Sequence, residues 1–451
     1  MANPRVRDMT VGPVGKTMLM FSIPILLSSL LQHAYNLVDT VIAGYLYGDH
    51  ALAAIGASSS IYVLLVGLAT GINGGFELVL ARAFGSHDEK KFKSSICASL
   101  VLNLLVSGTI ALLSCLLIRP ILRLMNTPDE IFGQTMNYII VILAGMPITS
   151  MYNFEASLMR SLGNSRTPLL FLAVASVANI ILDLLFVAVL DWGVTGIALA
   201  TMLAQLTSVI LCFFYIKRSY PELHFAKEHA KPVKALYNEL ISTGISMALM
   251  NSIFSLGSVC VQGAINSLGT TVITAHTAAR KIYENMILVQ TSLARGMTTM
   301  VSQNYGAGKI DRCHKAMRCQ ILYTVAWDFL LIIVAFTLGS TLVGLLGNSS
   351  NPEVLRMGRM YLICQTIGFP VLEVLRATRM FLQGVGRKLI PIGSSTIELI
   401  GKIVFTFLVI PHLGYLGVSL TEPILWLACT IYLVIAYIRV SKNLKEGAQT
   451  I

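Results

Sequence analysis

The chain has 451 residues, of which 55% are hydrophobic and only 12% are charged. A soluble globular protein carries about 25% charged residues, so we expect most of this surface to meet lipid rather than water. The net charge of +11 does not predict nucleic-acid binding, because the basic residues are confined to short loops and the chain ends. The eight cysteines are scattered without a CxxC pair, which indicates neither a disulfide framework nor a zinc site.

Apolar stretches long enough to cross a bilayer, which takes about 20 residues, recur along the whole chain. There are twelve, near residues 17–46, 52–83, 93–118, 133–162, 166–190, 194–216, 236–266, 271–304, 314–346, 354–384, 388–411 and 414–440. The first of them is too long for the core of a signal peptide, so we expect it to stay in the mature protein. The sequence therefore predicts an all-α membrane protein with twelve transmembrane helices.

Lysine and arginine are concentrated in every second connection. They occur at the N-terminus (Arg5 and Arg7), after spans 2, 4, 6 and 8, and at the C-terminus, whereas the loops YGDH, DWG, NSLGTT and PHLGY have none. The positive-inside rule then places both termini in the cytoplasm, in a plasma-membrane protein. An even number of spans agrees with two termini on one side.

The chain also repeats itself at a shift of 221 residues. The matched pairs are Gly48 with Gly269, Ala57 with Ala278, Gly85 with Gly306, Gly163 with Gly384, Arg166 with Arg387, Gly193 with Gly414, and Gly196 with Gly417. This predicts two pseudo-symmetric six-helix lobes of like orientation. We place them at residues 1–216 and 236–451, joined by a cytoplasmic linker at 217–235. Transporters are often built from such repeats, with a site near the membrane midplane.

Five segments carry a family resemblance: PILLSSLLQHAYNLVDTVIAG (24–44), GLATGINGGFELVLARAFG (67–85), ANIILDLLFV (178–187), GVTGIALAT (193–201) and SLARGMTTMVSQNYGAG (292–308). With them the chain resembles the multidrug and toxic compound extrusion (MATE) family over nearly all of residues 15–440. The resemblance implies two six-helix lobes in a V that open alternately to each side of the membrane. It also implies export of small organic cations against entry of H+ or Na+, with no other cofactor.

Asp39 lies inside the first apolar span, where a carboxylate is costly unless it is paired or hydrated. At 1.5 Å per residue it lies roughly 12 Å from the outer end of that span. Asp183 of span 5 and Thr201 of span 6 lie at about the same depth, and Asn179 is one turn from Asp183 on the same helical face. Such a set suits either sodium or a proton held between two carboxylates. The resemblance implies a cation-coupling site at these four positions.

A structural explanation remains open for the same residues. Asp183 and Asn179 would then only satisfy a contact between helices, and Thr201 would bond to its own helix backbone. Further residues are candidates for lining the cavity: Gln32, Tyr35, Asn36 and Asn251. Pro24 removes a backbone hydrogen bond from span 1 and predicts a kink, which is either static or responsive to protonation of Asp39.

The second half lacks this constellation, since Cys260 and Val404 stand where the repeat would place Asp39 and Asp183. One MATE branch is marked by a glutamate in span 7 and an aspartate in span 10, and span 7 here has no carboxylate in its middle. We therefore favour the branch with an aspartate cation site in the N-terminal lobe (DinF-like). The second half has charges of its own at matching depths, which predict a network that acts as a polar clasp or in switching: Lys281, Glu284, Glu398 and Lys402.

These features predict a secondary active antiporter, and not an enzyme, that acts as a monomer in contact with membrane lipid. The chain has no nucleotide-binding motif: the glycines of GINGGFE (71–77) are expected to allow close helix packing. A lipid-linked precursor flippase is the alternative, which Arg280, Lys281 and Arg376 keep open because a pyrophosphate needs cations. An intramembrane enzyme or a channel has no motif to support it, neither HExxH nor a Ser-His-Asp set nor a filter-like loop.

Overall fold

The structure is a computed structural model that describes residues 8–220 and 233–449. Within these ranges the regular structure is entirely helical, as predicted. The α-helices are α1 (Val14–Gly85), α2 (Glu89–Leu124), α3 (Asp129–Ala144), α4 (Met146–Ser161), α5 (Arg166–Asp183), α6 (Gly193–Ser219), α7 (Lys234–Ser267), α8 (Thr270–Met286), α9 (Leu288–Gly306), α10 (Ile310–Gly347), α11 (Pro352–Gly384), α12 (Leu389–Val404), α13 (Ile410–Leu413) and α14 (Tyr415–Gln449). Two π-helical segments, Leu184–Val189 and Phe405–Val409, continue α5 and α12.

Among the described residues, ten helical segments are long and apolar enough to cross a membrane, and the bent pair of α3 and α4 is an eleventh candidate. Helix α1 contributes two of them, because its backbone breaks at Gly48. The remaining predicted span, 271–304, corresponds to α8 and α9. These two helices are not among the candidates: α8 has only 17 residues, and both helices contain polar side chains, such as the buried Gln290 of α9.

The outer surface of the helices is apolar. Large side chains such as Leu116 (66% exposed), Val189 (71%) and Leu322 (67%) point away from the protein. A soluble monomer rarely exposes contiguous apolar surface of this kind, whereas lipid requires it. The chain is therefore a multi-pass membrane protein.

The described chain forms two compact units. One contains Ile23–Ala248, and the other contains Met9–Ser22 and Leu249–Ile451. The chain passes from one unit to the other inside α1, next to Pro24, and again inside α7. These crossings differ from the predicted boundaries at 216 and 236, because both helices continue without a break where the unit changes. Residues 221–232 of the predicted linker lie outside the described residues, as do Arg5 and Arg7.

The N-terminal segment belongs to the second unit because polar side chains hold its backbone there. The Arg312 guanidinium donates from Nη1 to the carbonyl oxygen of Gly12 over 2.9 Å and from Nη2 to that of Val11 over 3.1 Å. The Lys309 ammonium donates to the carbonyl oxygen of Thr10 over 3.0 Å. These bonds satisfy backbone acceptors that precede α1 and have no helical partner of their own.

In the first unit, the part of α1 after Gly48 packs directly against α7. A Cβ atom added to Gly75 would lie 2.5 Å from the Cα of Gly244, and one added to Gly71 would lie 2.8 Å from the Cα of Ala248. Only residues without side-chain bulk allow two helix backbones to approach this closely. The interpretation of GINGGFE as a packing motif is therefore confirmed.

The backbone retains the repeat where the side chains have diverged. Gly48 and Gly269 both have positive φ angles, 68° and 96°, which favour glycine. The π-helical segments Leu184–Val189 and Phe405–Val409 also begin at equivalent positions of the two halves. Single π-helical turns often occur at functional sites, and the first one directly follows Asp183.

Candidate functional site

The carboxyl groups of Asp39 and Asp183 lie within hydrogen-bonding range of each other. Asp39 belongs to the first part of α1, and Asp183 is the last residue of α5. Asp183 is completely buried, and Asp39 is partly buried. The structure therefore brings together the two carboxylates that the sequence placed at one depth.

Asn179 lies one helical turn before Asp183 and orients it. Its Nδ2 donates a hydrogen bond to Asp183 Oδ2 over 3.1 Å. Within the described ranges no hydrogen-bond partner reaches the buried Oδ1 atom of Asp39, Asn179 or Asp183. Two carboxylates this close repel each other when both are ionised, and one proton or cation between them removes that repulsion. The pair is thus arranged to hold a positive charge.

Thr201 is buried on α6 and is less closely tied to this pair. Its hydroxyl donates to the carbonyl oxygen of Ile197, one turn earlier on the same helix, over 2.9 Å. The proton of the hydroxyl is therefore already committed to the backbone, as in the structural alternative. Only the oxygen lone pairs of Thr201 remain available to a bound cation.

Tyrosines from three segments interact electrostatically with the carboxylate pair. Tyr35, Tyr62 and Tyr138 are each close enough to Asp39 to interact with it electrostatically, and Tyr138 also interacts with Asp183. Tyr35 was a predicted cavity residue and precedes Asp39 by one turn, whereas the other two were not predicted. The sequence could have indicated both residues, because each places a phenol inside an apolar span. Aromatic faces attract organic cations, so this group suits such a ligand.

The other predicted residues of this region take different positions. Gln32 on α1 is exposed, and Asn251 is an exposed residue of α7 in the second unit. The side chain of Asn36 lies outside what the structure describes. Helix α1 continues through Pro24, whose carbonyl oxygen accepts a hydrogen bond from Ser28 Oγ over 2.9 Å.

A hydrogen-bonded clasp fixes α1 next to α5. Tyr47 Oη donates to Asp191 Oδ1 over 2.7 Å and accepts from the backbone N–H of Gly193 over 2.9 Å. Burial and the hydrogen bond to Asp191 raise the pKa of Tyr47, so the phenol keeps its proton and remains a donor. Because Tyr47 ends the first part of α1, this clasp also sets how α1 presents Asp39 to Asp183.

In the second unit, three helices contribute to a chain of alternating charges. Arg280 lies 3.4 Å from both Glu284 and Glu422. Lys402, only 1% exposed, lies 3.2 Å from Glu398 and 3.6 Å from Glu422. The structure therefore brings Glu284, Glu398 and Lys402 into one network, as their depths predicted. It also adds Glu422 of α14, which the sequence could have indicated as a carboxylate inside the last span.

The fourth predicted member of that network takes a different position. Lys281 is exposed and lines a separate surface pocket with Thr274 and Thr277. Its neighbour Arg280 makes the ion pairs instead. One residue along a helix turns the side chain by about 100°, so equal depth does not give the same face. A cavity of about 280 Å³ adjoins Arg280, Lys402 and Glu422.

The MatE family model matches residues 24–185 and 246–408, one segment in each half of the chain. The chain therefore belongs to the MATE family. The probable multidrug resistance protein YpnP of Bacillus subtilis (strain 168) is 26% identical over 373 residues, which cover 81% of this chain and 82% of YpnP. The multidrug export protein MepA of Staphylococcus saprophyticus is 23% identical over 372 residues, 81% of this chain and 82% of MepA.

A solved structure of a MATE protein in the bent conformation has the same fold. It superimposes with a TM-score of 0.93 and covers 100% of both chains at 20% sequence identity. An identity this low shows the fold alone. Membership in the family makes the chain a membrane transporter, and its assignment to the DinF-like branch stays a prediction.

Proposed function

We propose that this MATE transporter is a secondary active antiporter that exports small amphipathic organic cations in exchange for protons. The observation that carries the proposal is the contact between the Asp39 and Asp183 carboxyl groups, whose Oδ1 atoms have no donor among the described residues. One shared proton supplies that donor. The relatives YpnP and MepA, named as a multidrug resistance and a multidrug export protein, support the substrate class.

The exchange follows from competition for one negative site. When the carboxylate pair is deprotonated, it attracts an organic cation, and the phenols of Tyr35, Tyr62 and Tyr138 offer aromatic surface to that ligand. When one proton binds, the pair loses one of its two negative charges and binds the cation more weakly, so the drug leaves. Alternating access then needs the proton to be taken up outside and released inside. Sodium is the alternative coupling ion, because carboxylate, amide and hydroxyl oxygens are its preferred ligands.

The test is uptake of a fluorescent organic cation into proteoliposomes under a pH gradient and a sodium gradient imposed separately. We expect the pH gradient alone to drive transport by the wild type. Asp39→Asn and Asp183→Asn should each lose gradient-driven transport, because an amide cannot exchange a proton. Asp129→Asn changes an exposed carboxylate at the start of α3 in the same unit and should transport like the wild type. Wild-type rates in both site variants would contradict the proposal. Transport driven by the sodium gradient alone would show that sodium, and not the proton, is the coupling ion.

The flippase alternative is less consistent with the charges of the second unit. A pyrophosphate site needs cations free to bind it, but Arg280 is paired with Glu422 at 3.4 Å and Arg376 with Glu373 at 2.9 Å. We therefore expect cationic drugs, and not anionic lipid precursors, to compete with one another for transport. Competition by a lipid-linked pyrophosphate at similar concentrations would favour the flippase.

We also propose that both termini face the cytoplasm of the plasma membrane and that the monomer is the transporting unit. The distribution of lysine and arginine among the connections supports this orientation. A fluorescent protein fused to the C-terminus should fold and emit, while alkaline phosphatase at the same place should be inactive. The opposite pair of results would invert the topology. Elution of the purified protein as a dimer would contradict the monomer.

A further inference from the structure

A stripe of polar side chains runs along the middle of α10. Gln320, Thr324 and Asp328 follow one another at intervals of four residues, so they share one face of the helix. All three are completely buried. The sequence therefore contained a signal for this stripe, a polar residue at every fourth position of an otherwise apolar span. It belongs to neither the Asp39 site nor the Arg280–Lys402 network.

Helix α9 supplies the hydrogen-bond partner of Asp328. Gln290, also completely buried, donates from Nε2 to Asp328 Oδ1. In the part of the chain that the structure describes, the other carboxyl oxygen, Oδ2, has no hydrogen-bond partner, and neither has Gln290 Oε1. One donor is too few for an ionised carboxylate that water does not reach.

Helix α11 brings the nearest charges. Glu373 is completely buried, accepts a hydrogen bond from Gln320 Nε2 over 3.0 Å, and pairs with Arg376 at 2.9 Å. Both of these charged groups interact electrostatically with Asp328. From α8, Tyr283 also interacts electrostatically with Arg376.

The charges of this group do not balance. Asp328 and Glu373 contribute two carboxyls, whereas Arg376 contributes one guanidinium, and Glu373 already pairs with it. An unpaired carboxylate in the dry interior of a membrane protein is costly, and binding one proton removes its charge. A proton on Oδ2 also turns an oxygen without a partner into a donor, in a group that contains amide oxygens without donors, Gln290 Oε1 and Gln320 Oε1.

We propose that Asp328, held by Gln290 and facing the Glu373–Arg376 pair, is a second proton-binding site of this transporter, in the C-terminal half. Its proton exchanges during the transport cycle, a statement that rests on the proposed antiport function. The site is separate from the Asp39–Asp183 pair and has no counterpart in the repeat, since Ser107 stands at the position equivalent to Asp328. Each half of the molecule then has its own site for a proton, built from different helices.

Proton binding is tested directly by infrared difference spectroscopy on the full-length protein in lipid, without any drug. We expect the C=O stretching band of a protonated carboxyl group that titrates with pH in the wild type and disappears in Asp328→Asn. Asp311→Asn removes an exposed carboxyl of the same helix and should keep the band. Gln290→Leu removes the donor to Oδ1 and should shift the band, which keeps the test available if Asp328→Asn does not fold. A spectrum unchanged in both Asp328→Asn and Gln290→Leu would overturn the site.

Exchange of the proton is tested in proteoliposomes. Asp328→Asn should lower transport driven by a pH gradient at least ten-fold and alter its pH profile, while Asp311→Asn keeps both. A titrating band together with an unaltered pH profile in Asp328→Asn would overturn the coupling role. If Asp39→Asn and Asp183→Asn transport like the wild type, the proposed antiport mechanism fails instead, and the infrared result still decides whether Asp328 binds a proton.

Discussion

Asp39 on α1 and Asp183 on α5 place their carboxyl groups within hydrogen-bonding range, although a long stretch of chain separates them. Two side chains hold this arrangement. Asn179 orients the Asp183 carboxyl, and Tyr47 ties the end of the first part of α1 to the turn after α5. The ion site thus depends on groups that do not themselves bind a proton, and this dependence can be measured.

Replacement of Asn179 by leucine should impair proton-driven efflux without removing a carboxylate. Asp183 Oδ2 would lose the donor that now lies 3.1 Å away. Losing a hydrogen bond to a charged group costs about 1.5–3 kcal/mol, which corresponds to roughly a ten- to hundred-fold change in affinity for the coupling ion. Drug uptake into proteoliposomes should fall accordingly. Ser176→Ala on the same helix loses only a bond to the carbonyl oxygen of Leu172 and serves as the control; equal activity of the two variants would argue against the role of Asn179.

The glycine contact between α1 and α7 predicts a contrast between two glycines of one helix. Gly75→Ala places a methyl group 2.5 Å from the Cα of Gly244, so the two backbones must separate. Gly67→Ala meets nothing within 4 Å and should be neutral or stabilise the helix by up to about 1 kcal/mol. Thermal unfolding of the purified variants should show a clear loss of stability only for Gly75→Ala. Equal melting temperatures would mean that this contact does not limit stability.

Removal of the Arg312 side chain should release the segment before α1. Arg312 donates hydrogen bonds to the backbone oxygens of Gly12 and Val11 through the rigid fork of its guanidinium. Hydrogen exchange over residues 9–14 should accelerate in Arg312→Ala and stay slow in Lys315→Ala, an exposed residue of the same helix. Similar protection in both variants would show that the segment is held by other contacts.

The charge network of the second unit predicts different outcomes for two lysines. Lys402→Met removes a cation that lies between Glu398 and Glu422, and breaking a buried ion pair in this way costs about 3–5 kcal/mol. Lys281→Met changes an exposed side chain and should alter stability by less than about 0.5 kcal/mol. Denaturation in detergent measures both. If Lys402→Met is as stable as Lys281→Met, the network is not a structural clasp, and its role in switching should be examined by transport.

Much of the fold could be read from residue order because hydropathy and helix rise are properties of the chain itself. The apolar spans, the repeat at 221 residues and the common depth of Asp39 and Asp183 needed no tertiary information. The exception among the spans is α8 with α9, where polar side chains such as Gln290 are buried within the protein.

Depth along a helix does not determine the direction in which each side chain points. Arg280 and not its neighbour Lys281 joins Glu422, and Thr201 bonds to its own helix, because these outcomes depend on the rotation of each helix against its neighbours. The sequence alone determined a repeated membrane transporter with an aspartate pair in its first half. Only the packing of α9, α10 and α11 places Asp328, which lies among buried amides and one guanidinium already paired with another acid.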